Sequence, residues 1–187
     1  MKQTTSICLL LLVMTFSLTA KEIVSPQSTW RYYDDISPPR GAWKSLTYND
    51  ATWSQGKAQF GYGERDETTV TSYGQDPKNK IITQYFRKTF KLDTSKKSTL
   101  ILRYIVDDGA IFYINEKEVH RVNLPKNAEH NTLATSSDIE HVWVELPIEV
   151  QNLQSELNVI AVEVHQLSAS SSDLSFDAAL ISPEKPH

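Results

Sequence analysis

Apolar residues in this chain recur at every second position far more often than at helical spacing. Leu100, Leu102, Tyr104 and Val106 share one face of a strand predicted over Thr99–Val106, because side chains two apart point the same way in extended backbone. The same spacing groups Val142, Val144 and Leu146 before Pro147, and Ile160, Val162 and Val164 within Asn158–His165. It also groups Leu174, Phe176, Ala178 and Leu180 within Leu174–Ile181. Ile81–Leu92 fits with Phe86, Phe90 and Leu92 inward, and its misfit Lys88 marks a bulge or an exposed edge. Shorter strands are predicted at Ile111–Ile114 and Glu118–Val122. The best helical stretch is Ile148–Leu157, with Ile148, Leu153 and Leu157 roughly on one side, enough for a turn or two. Many short strands with few helices specify an all-β fold, a two-sheet antiparallel β-sandwich.

Turn chemistry separates the strands. Asp93–Ser98 is a polar connection, and Asp107-Asp108-Gly109 reads as a tight turn in which Gly109 takes positive φ. Asn115-Glu116 should close a hairpin. Asn tolerates the left-handed region and Glu does so poorly, which suggests a turn longer than two residues.

Alternation of strand direction then dictates where the loops lie. If each strand crosses the sandwich once and Asp93–Ser98 lies at one end, the long polar stretches fall together at the other. These are Glu64–Lys80, Asp107–Gly109, Asn123–Glu140 and Gln166–Asp173. Such a rim suits binding better than chemistry. Its candidate binding residues are Tyr73, Asp76, Asp108, His130, Asn131, His165, Gln166 and Asp173. A strand hidden inside Asn123–Glu140 would break the layout.

Bulk properties narrow the class. Met1-Lys2 followed by the apolar Ile7–Val13, Phe16 and Leu18, then Thr19-Ala20, reads as a signal peptide over residues 1–20. That apolar stretch is shorter than the ~20 residues a bilayer span takes, and no later segment reaches that length. Of 187 residues, 167 remain after residue 20, enough for one domain; the sandwich is expected over residues 21–182, with 183–187 a frayed polar tail. Cys8 is the only cysteine and leaves with the leader, so the mature chain has no disulfide and no thiol nucleophile. A secreted or periplasmic location is expected. The net charge of −4 and dispersed basic residues give no dense basic face for nucleic acid.

Catalytic motifs are absent: no Gly-x-Ser-x-Gly elbow, His-Glu-x-x-His, phosphate loop or dinucleotide fingerprint. The five histidines show no closely spaced pair, so zinc is not expected. A non-enzymatic role follows as the expectation, although a pair of carboxylates suited to glycoside hydrolysis can arise from residues distant in sequence.

An ordered series of motifs carries a family resemblance. It comprises Trp30-Arg31-Tyr32-Tyr33-Asp34-Asp35, Trp43, Tyr48-Asn49-Asp50-Ala51-Thr52-Trp53, Phe60-Gly61-Tyr62-Gly63 and Tyr85-Phe86-Arg87-Lys88-Thr89-Phe90. Asp107-Asp108-Gly109-Ala110, Tyr113-Ile114-Asn115, Asn158 through Gln166, and Ser172 through Asp177 complete it. From about Trp30 to Ile181 the chain resembles the galactose-binding-like jelly-roll domains of secreted bacterial proteins. More distantly, it is similar to the sugar-binding domain of beta-galactosidase-type glycosidases. The resemblance implies a non-catalytic jelly roll, and a partner that is either a glycan or a secreted or surface protein. Such domains are usually appended to an enzyme or surface protein; no second domain is expected in this chain. Asn115-Glu116 departs from the family's frequent Asn-Gly, and Ser155-Glu156 lacks a common Gly.

Within that pattern Trp30, Trp43 and Trp53 are expected to plug the sandwich rather than stack on sugars. Trp143, between Val142 and Val144, faces outward and suits a flat ligand, a partner or edge packing. Glu163 and His165 share a face, either as a structural pair or as ligands for a sugar hydroxyl. Asp173 and Asp177 flank the last strand, where related jelly rolls often carry structural calcium. Calcium takes six to eight oxygens and no compact Asp/Asn ladder is present, so no cofactor is expected, structural calcium being the one metal raised.

Overall fold

A computed structural model describes residues 20–92, 98–138 and 142–183. Residues 1–19 of the expected leader, residues 93–97 of the first turn and most of the tail lie outside these residues. The chain forms β1 (Lys21–Val24), β2 (Thr29–Tyr33), β3 (Ser54–Lys57), β4 (Phe60–Tyr62), β5 (Thr69–Val70) and β6 (Thr83–Phe90). It continues with β7 (Ser98–Asp107), β8 (Gly109–Ile114), β9 (Lys117–Val122), β10 (Val144–Val150), β11 (Asn158–His165) and β12 (Leu174–Ser182). One sheet has the order β10-β7-β12-β4-β5 with β1 also on β12; the other runs β3-β2-β6-β11-β8-β9. Ladders are antiparallel apart from β4 with β5. The fold is a two-sheet β-sandwich, and no helix occurs among the described residues.

The period-two faces meet between the sheets. Leu100, Leu102, Tyr104 and Val106 of β7 and Leu174, Phe176, Ala178 and Leu180 of β12 pack against Phe86, Phe112, Ile160, Val162 and Val164. Phe176 is the hub: its ring centroid lies 4.3 Å from Phe86 and 5.3 Å from Trp30, the latter edge to face. Trp30 therefore plugs the sandwich as expected. Trp43 and Trp53 are buried elsewhere, with Tyr85, Ile111, Tyr113, Leu124 and Ala161. Tyr85, Ile111, Tyr113 and Ala161 alternate with core residues, so this second cluster lies on the outer face of its sheet.

Several expectations change. Ile148–Leu157 is not a helix: Ile148 and Val150 extend β10, in register with Leu100 and Ser98. The strand runs through Pro147 because β10 is an edge, where a missing N–H costs little. Asn115 and Glu116 do form a two-residue turn, at φ 47° and 72°, between Ile114 and Lys117. Glu116 takes this unfavourable region because Asn115 is anchored: its Nδ2 donates to Asn152 O (2.9 Å) and Asn158 Oδ1 (2.7 Å), and its Oδ1 accepts from Val159 N (3.0 Å). Lys88 marks neither bulge nor edge. β6 is internal and pairs with β11 in unbroken register, and Lys88 Nζ donates to Thr29 O at 2.8 Å. Gly109 has no positive φ; it opens β8, where a Cβ would sit 3.0 Å from Ala134 Cβ and 3.2 Å from Asn123 O. Asp107–Gly109 thereby carries the chain from one sheet to the other.

Candidate functional site

Strand register places the loops. Leu174 faces Tyr62, Ser175 faces Asp107, and His165 faces both Gly109 and Thr83, while Ala110 faces Val122. The ends of β4, β7, β9 and β11 and the starts of β6, β8 and β12 therefore share one pole, although Glu64–Lys80 is not wholly a pole loop: its Thr69–Val70 forms β5, parallel to β4. No strand interrupts Asn123–Asp138 among the described residues. A further connection joins this pole, since Tyr33 at the end of β2 faces Tyr85. Its Asp34 Oδ2 accepts from Ser72 N at 2.6 Å, and its Ile36 carbonyl accepts from His130 Nε2 at 2.8 Å.

Three of the expected rim residues are buried, which corrects their presentation at the surface. Asp108 is 2% exposed and both His165 and Gln166 are 0% exposed. Each anchors a loop. Asp108 Oδ2 accepts from Leu167 N (2.6 Å), and its carbonyl accepts from Asn123 Nδ2 (3.0 Å). His165 Nδ1 donates to Thr132 O (2.7 Å) and lies 3.1 Å from Thr83 Oγ1, whose hydroxyl donates to His130 O. Gln166 Nε2 donates to the Tyr62 hydroxyl (2.5 Å) and to Asp173 O (3.0 Å). A side chain enclosed in this way secures the loops but has no surface to offer a glycan.

His130 is also committed internally. Nε2 donates to Ile36, so the hydroxyl of Tyr85 donates to Nδ1, at 2.9 Å. Glu163 Oε1 accepts from Tyr113 Oη at 2.6 Å, and its Oε2 lies 3.7 Å from His165 Nε2, beyond hydrogen-bond reach. Burial would raise the Glu163 carboxyl, but the His165 and Tyr113 contacts and the Lys44 charge outweigh it and hold it below the ordinary range. The Glu163–His165 pair lies within the protein.

Tyr73, Asp76, Asn131 and Asp173 keep accessible surface. Asp76 closes its own turn, Oδ1 accepting from Lys78 N at 2.9 Å, and Asp173 Oδ1 accepts from Ser172 Oγ at 2.9 Å. Tyr73 is 38% exposed and packs edge to face on Tyr62 at 5.3 Å; Lys80 Nζ lies 5.0 Å from its ring. Asn131 lines a cleft of about 410 Å³ where the pole loops meet, with Ile36, Asn79, Lys80, Ile81 and Leu133. Ile36 and Leu133 are exposed apolar side chains. Sequence reasoning missed both, because each is a lone apolar residue in a polar stretch and carries no periodic signal. Lys80 was legible only as the end of a loop.

Among the described residues no group of three or more His, Cys, Asp or Glu side chains is placed to hold a metal ion. Asp177 does not serve as a surface ligand: it is buried, and its Oδ2 accepts from Gln27 N at 2.9 Å. These two aspartates do not amount to the six to eight oxygens of a calcium shell. No helix of the described residues is long and apolar enough to cross a membrane.

No family model and no curated protein matches this chain. Its fold resembles part of several solved glycosidase structures. A beta-glycosidase from Bacteroides vulgatus aligns with 87% of this chain over 20% of its own, at TM-score 0.55 and 15% identity. An uncultured Clostridium sp. beta-glucuronidase aligns with 94% of this chain over 31% of its own, at TM-score 0.53 and 13% identity. A calcium binding mutant of Bacteroides uniformis beta-glucuronidase 2 aligns with 87% of this chain over 18% of its own, at TM-score 0.53 and 14% identity. The chain thus spans less than a third of the length of each. At these identities the likeness is one of fold.

Proposed function

We propose that this chain is an exported, non-catalytic recognition domain that binds a glycan at the loop pole. The observation that carries the reading is the cleft among the pole loops, whose volume of about 410 Å³ is within the range of small-ligand sites. Its lining matches sugar chemistry. The amides of Asn79 and Asn131 each donate and accept, as a hydroxyl requires, and Ile36 and Leu133 offer apolar surface to the C–H face of a ring. Tyr73, beside Lys80, is the nearby aromatic for stacking, and Asp76 and Asp173 are acceptors at the periphery. Asp108, His165 and Gln166 serve the site indirectly by fixing the loops. Likeness to parts of glycosidase chains supports an association with carbohydrate rather than a catalytic role, and the leader pattern of residues 1–20 supports export.

Glycan-array screening followed by calorimetry tests this. A hit should lose roughly tenfold or more in affinity on Asn131→Ala, the effect of removing one well-placed polar contact and its partner's satisfaction. Silence of the native protein across plant, algal and bacterial glycans, or a hit indifferent to Asn131 and Leu133, refutes it.

A second reading, docking onto a secreted or surface protein, is favoured by the exposed Val142-Trp143 pair. Trp143 is 37% exposed, with Arg103 Cζ 4.8 Å from its ring. A stoichiometric protein partner lost on Trp143→Ala would favour it over the glycan.

A further inference from the structure

The pole cleft has an unbalanced charge. Among the described residues Lys80 is the single charged one that lines it, and no carboxylate does, in a chain whose net charge is −4. Asn79 and Asn131 are neutral, and the rest of the lining is aliphatic. A ligand seated there meets one positive charge and no negative one.

That charge is held in place. The main-chain N of Lys80 donates to Ala169 O at 2.8 Å. Its Nζ donates to Ser171 O and, at 3.3 Å, to Ser172 O. The ring centroids of Tyr62 and Tyr73 lie 4.7 and 5.0 Å from Nζ. Carbonyls and ring faces orient an ammonium and replace part of its hydration, but they are neutral and do not cancel its charge. No carboxylate pairs with Lys80 among the described residues. Asp76 and Asp173, on the same two loops, accept instead from Lys78 N and the Ser172 hydroxyl. An ammonium has three N–H donors and two carbonyls take two of them, which leaves one for a ligand oxygen. A cation tethered in this way loses little freedom when an anion arrives.

We infer that the pole cleft selects glycans that carry a carboxylate or sulfate group, with Lys80 as the specificity-determining residue; this rests on the glycan reading of the same cleft. The ammonium supplies a charge-assisted hydrogen bond to the oxyanion, while the Asn79 and Asn131 amides serve neutral hydroxyls. A neutral sugar can use the amides but gains nothing from the charge. Discrimination therefore comes from the one contact that differs between the two kinds of ligand.

Calorimetry at low ionic strength with galactose, sodium galacturonate and sodium galactose 6-sulfate tests the assignment, since the three differ only at C6. Galacturonate or galactose 6-sulfate should bind roughly tenfold or more tighter than galactose, and the margin should shrink as sodium chloride is added. Preference for one acidic sugar identifies a carboxylate or a sulfate site; preference for both identifies a general oxyanion site. Lys80→Gln, whose amide can still donate to the Ser171 carbonyl, should bring the ratio close to one, and Lys80→Arg should preserve it. A purely structural tether would change affinity for all three sugars alike. If Lys80→Gln loses its native circular dichroism, the salt dependence of the native protein decides. Galactose bound as tightly as both acidic sugars, or a preference that survives Lys80→Gln in a natively folded variant, overturns the inference and leaves the glycan reading standing. Binding of none of the three overturns it as well, and the glycan array then judges the glycan reading separately.

Discussion

Replacing Asp177 by Asn should stabilise the protein at neutral pH, and the gain should vanish in acid. Asp177 is 1% exposed, and burial raises its carboxyl from 3.8 to about 6, against the lowering influence of the Gln27 and Ala178 amides and of Arg103. The fold thus favours the protonated acid. In the native protein that contribution is fully present below the unfolded value near 3.8 and is lost as pH rises through about 6. A displacement of about two pH units at ~1.4 kcal/mol each puts the cost of ionised Asp177 on the order of 3 kcal/mol. Asn cannot ionise, and its carbonyl oxygen can still accept from Gln27 N. Urea unfolding followed by tryptophan fluorescence, with Trp30 in the core as reporter, should place the variant up to ~3 kcal/mol above the native protein near pH 7.5, the two converging near pH 4. A variant less stable than the native protein near pH 7.5, or a difference constant with pH, would refute the reasoning.

Glu163 should behave with the opposite sign. Its depressed carboxyl contributes stability above the unfolded value that is lost as pH falls through the folded one, so Glu163→Gln should cost about 1–3 kcal/mol near neutrality and less in acid, read by the same titration. Trp43→Ala should cost about 3–5 kcal/mol in chemical unfolding by emptying the outer cluster. Trp143→Ala, at a partly exposed position, should cost about 1 kcal/mol or less in the same measurement. Gly61→Ala should abolish soluble folded protein, seen as loss of the circular-dichroism sheet signal. Gly61 sits at φ 148°, and an added Cβ would lie 1.7 Å from the Leu174 carbonyl oxygen, so β4 could no longer pair with β12.

Alternation was readable because these strands bury one face between two sheets, and burial imprints a period of two. Asn158–His165 and the faces of β7 and β12 emerge directly from it. β3, reading Ser54-Gln55-Gly56-Lys57, carries no such imprint, since an edge strand that buries little leaves its sequence polar. Ile148–Leu157 misled for the opposite reason: three apolar residues in a short window fit a helix as well as a strand followed by a loop.

From the period of apolar positions alone follow the sandwich and the gathering of loops at one pole. Each depends only on which residues are apolar and how often direction reverses. Which pole residues reach solvent was decided by tertiary structure. Asp108, His165 and Gln166 look like ligands in a linear sequence and become loop anchors because the fold buries them, where each hydrogen-bonds a neighbouring loop. The cleft arises in the same way: Ile36, Asn79 and Leu133 are far apart along the chain and share a surface only because β-sheet register brings their loops together. Arg31 opposite Arg87 is likewise a fact of register, which no local pattern encodes.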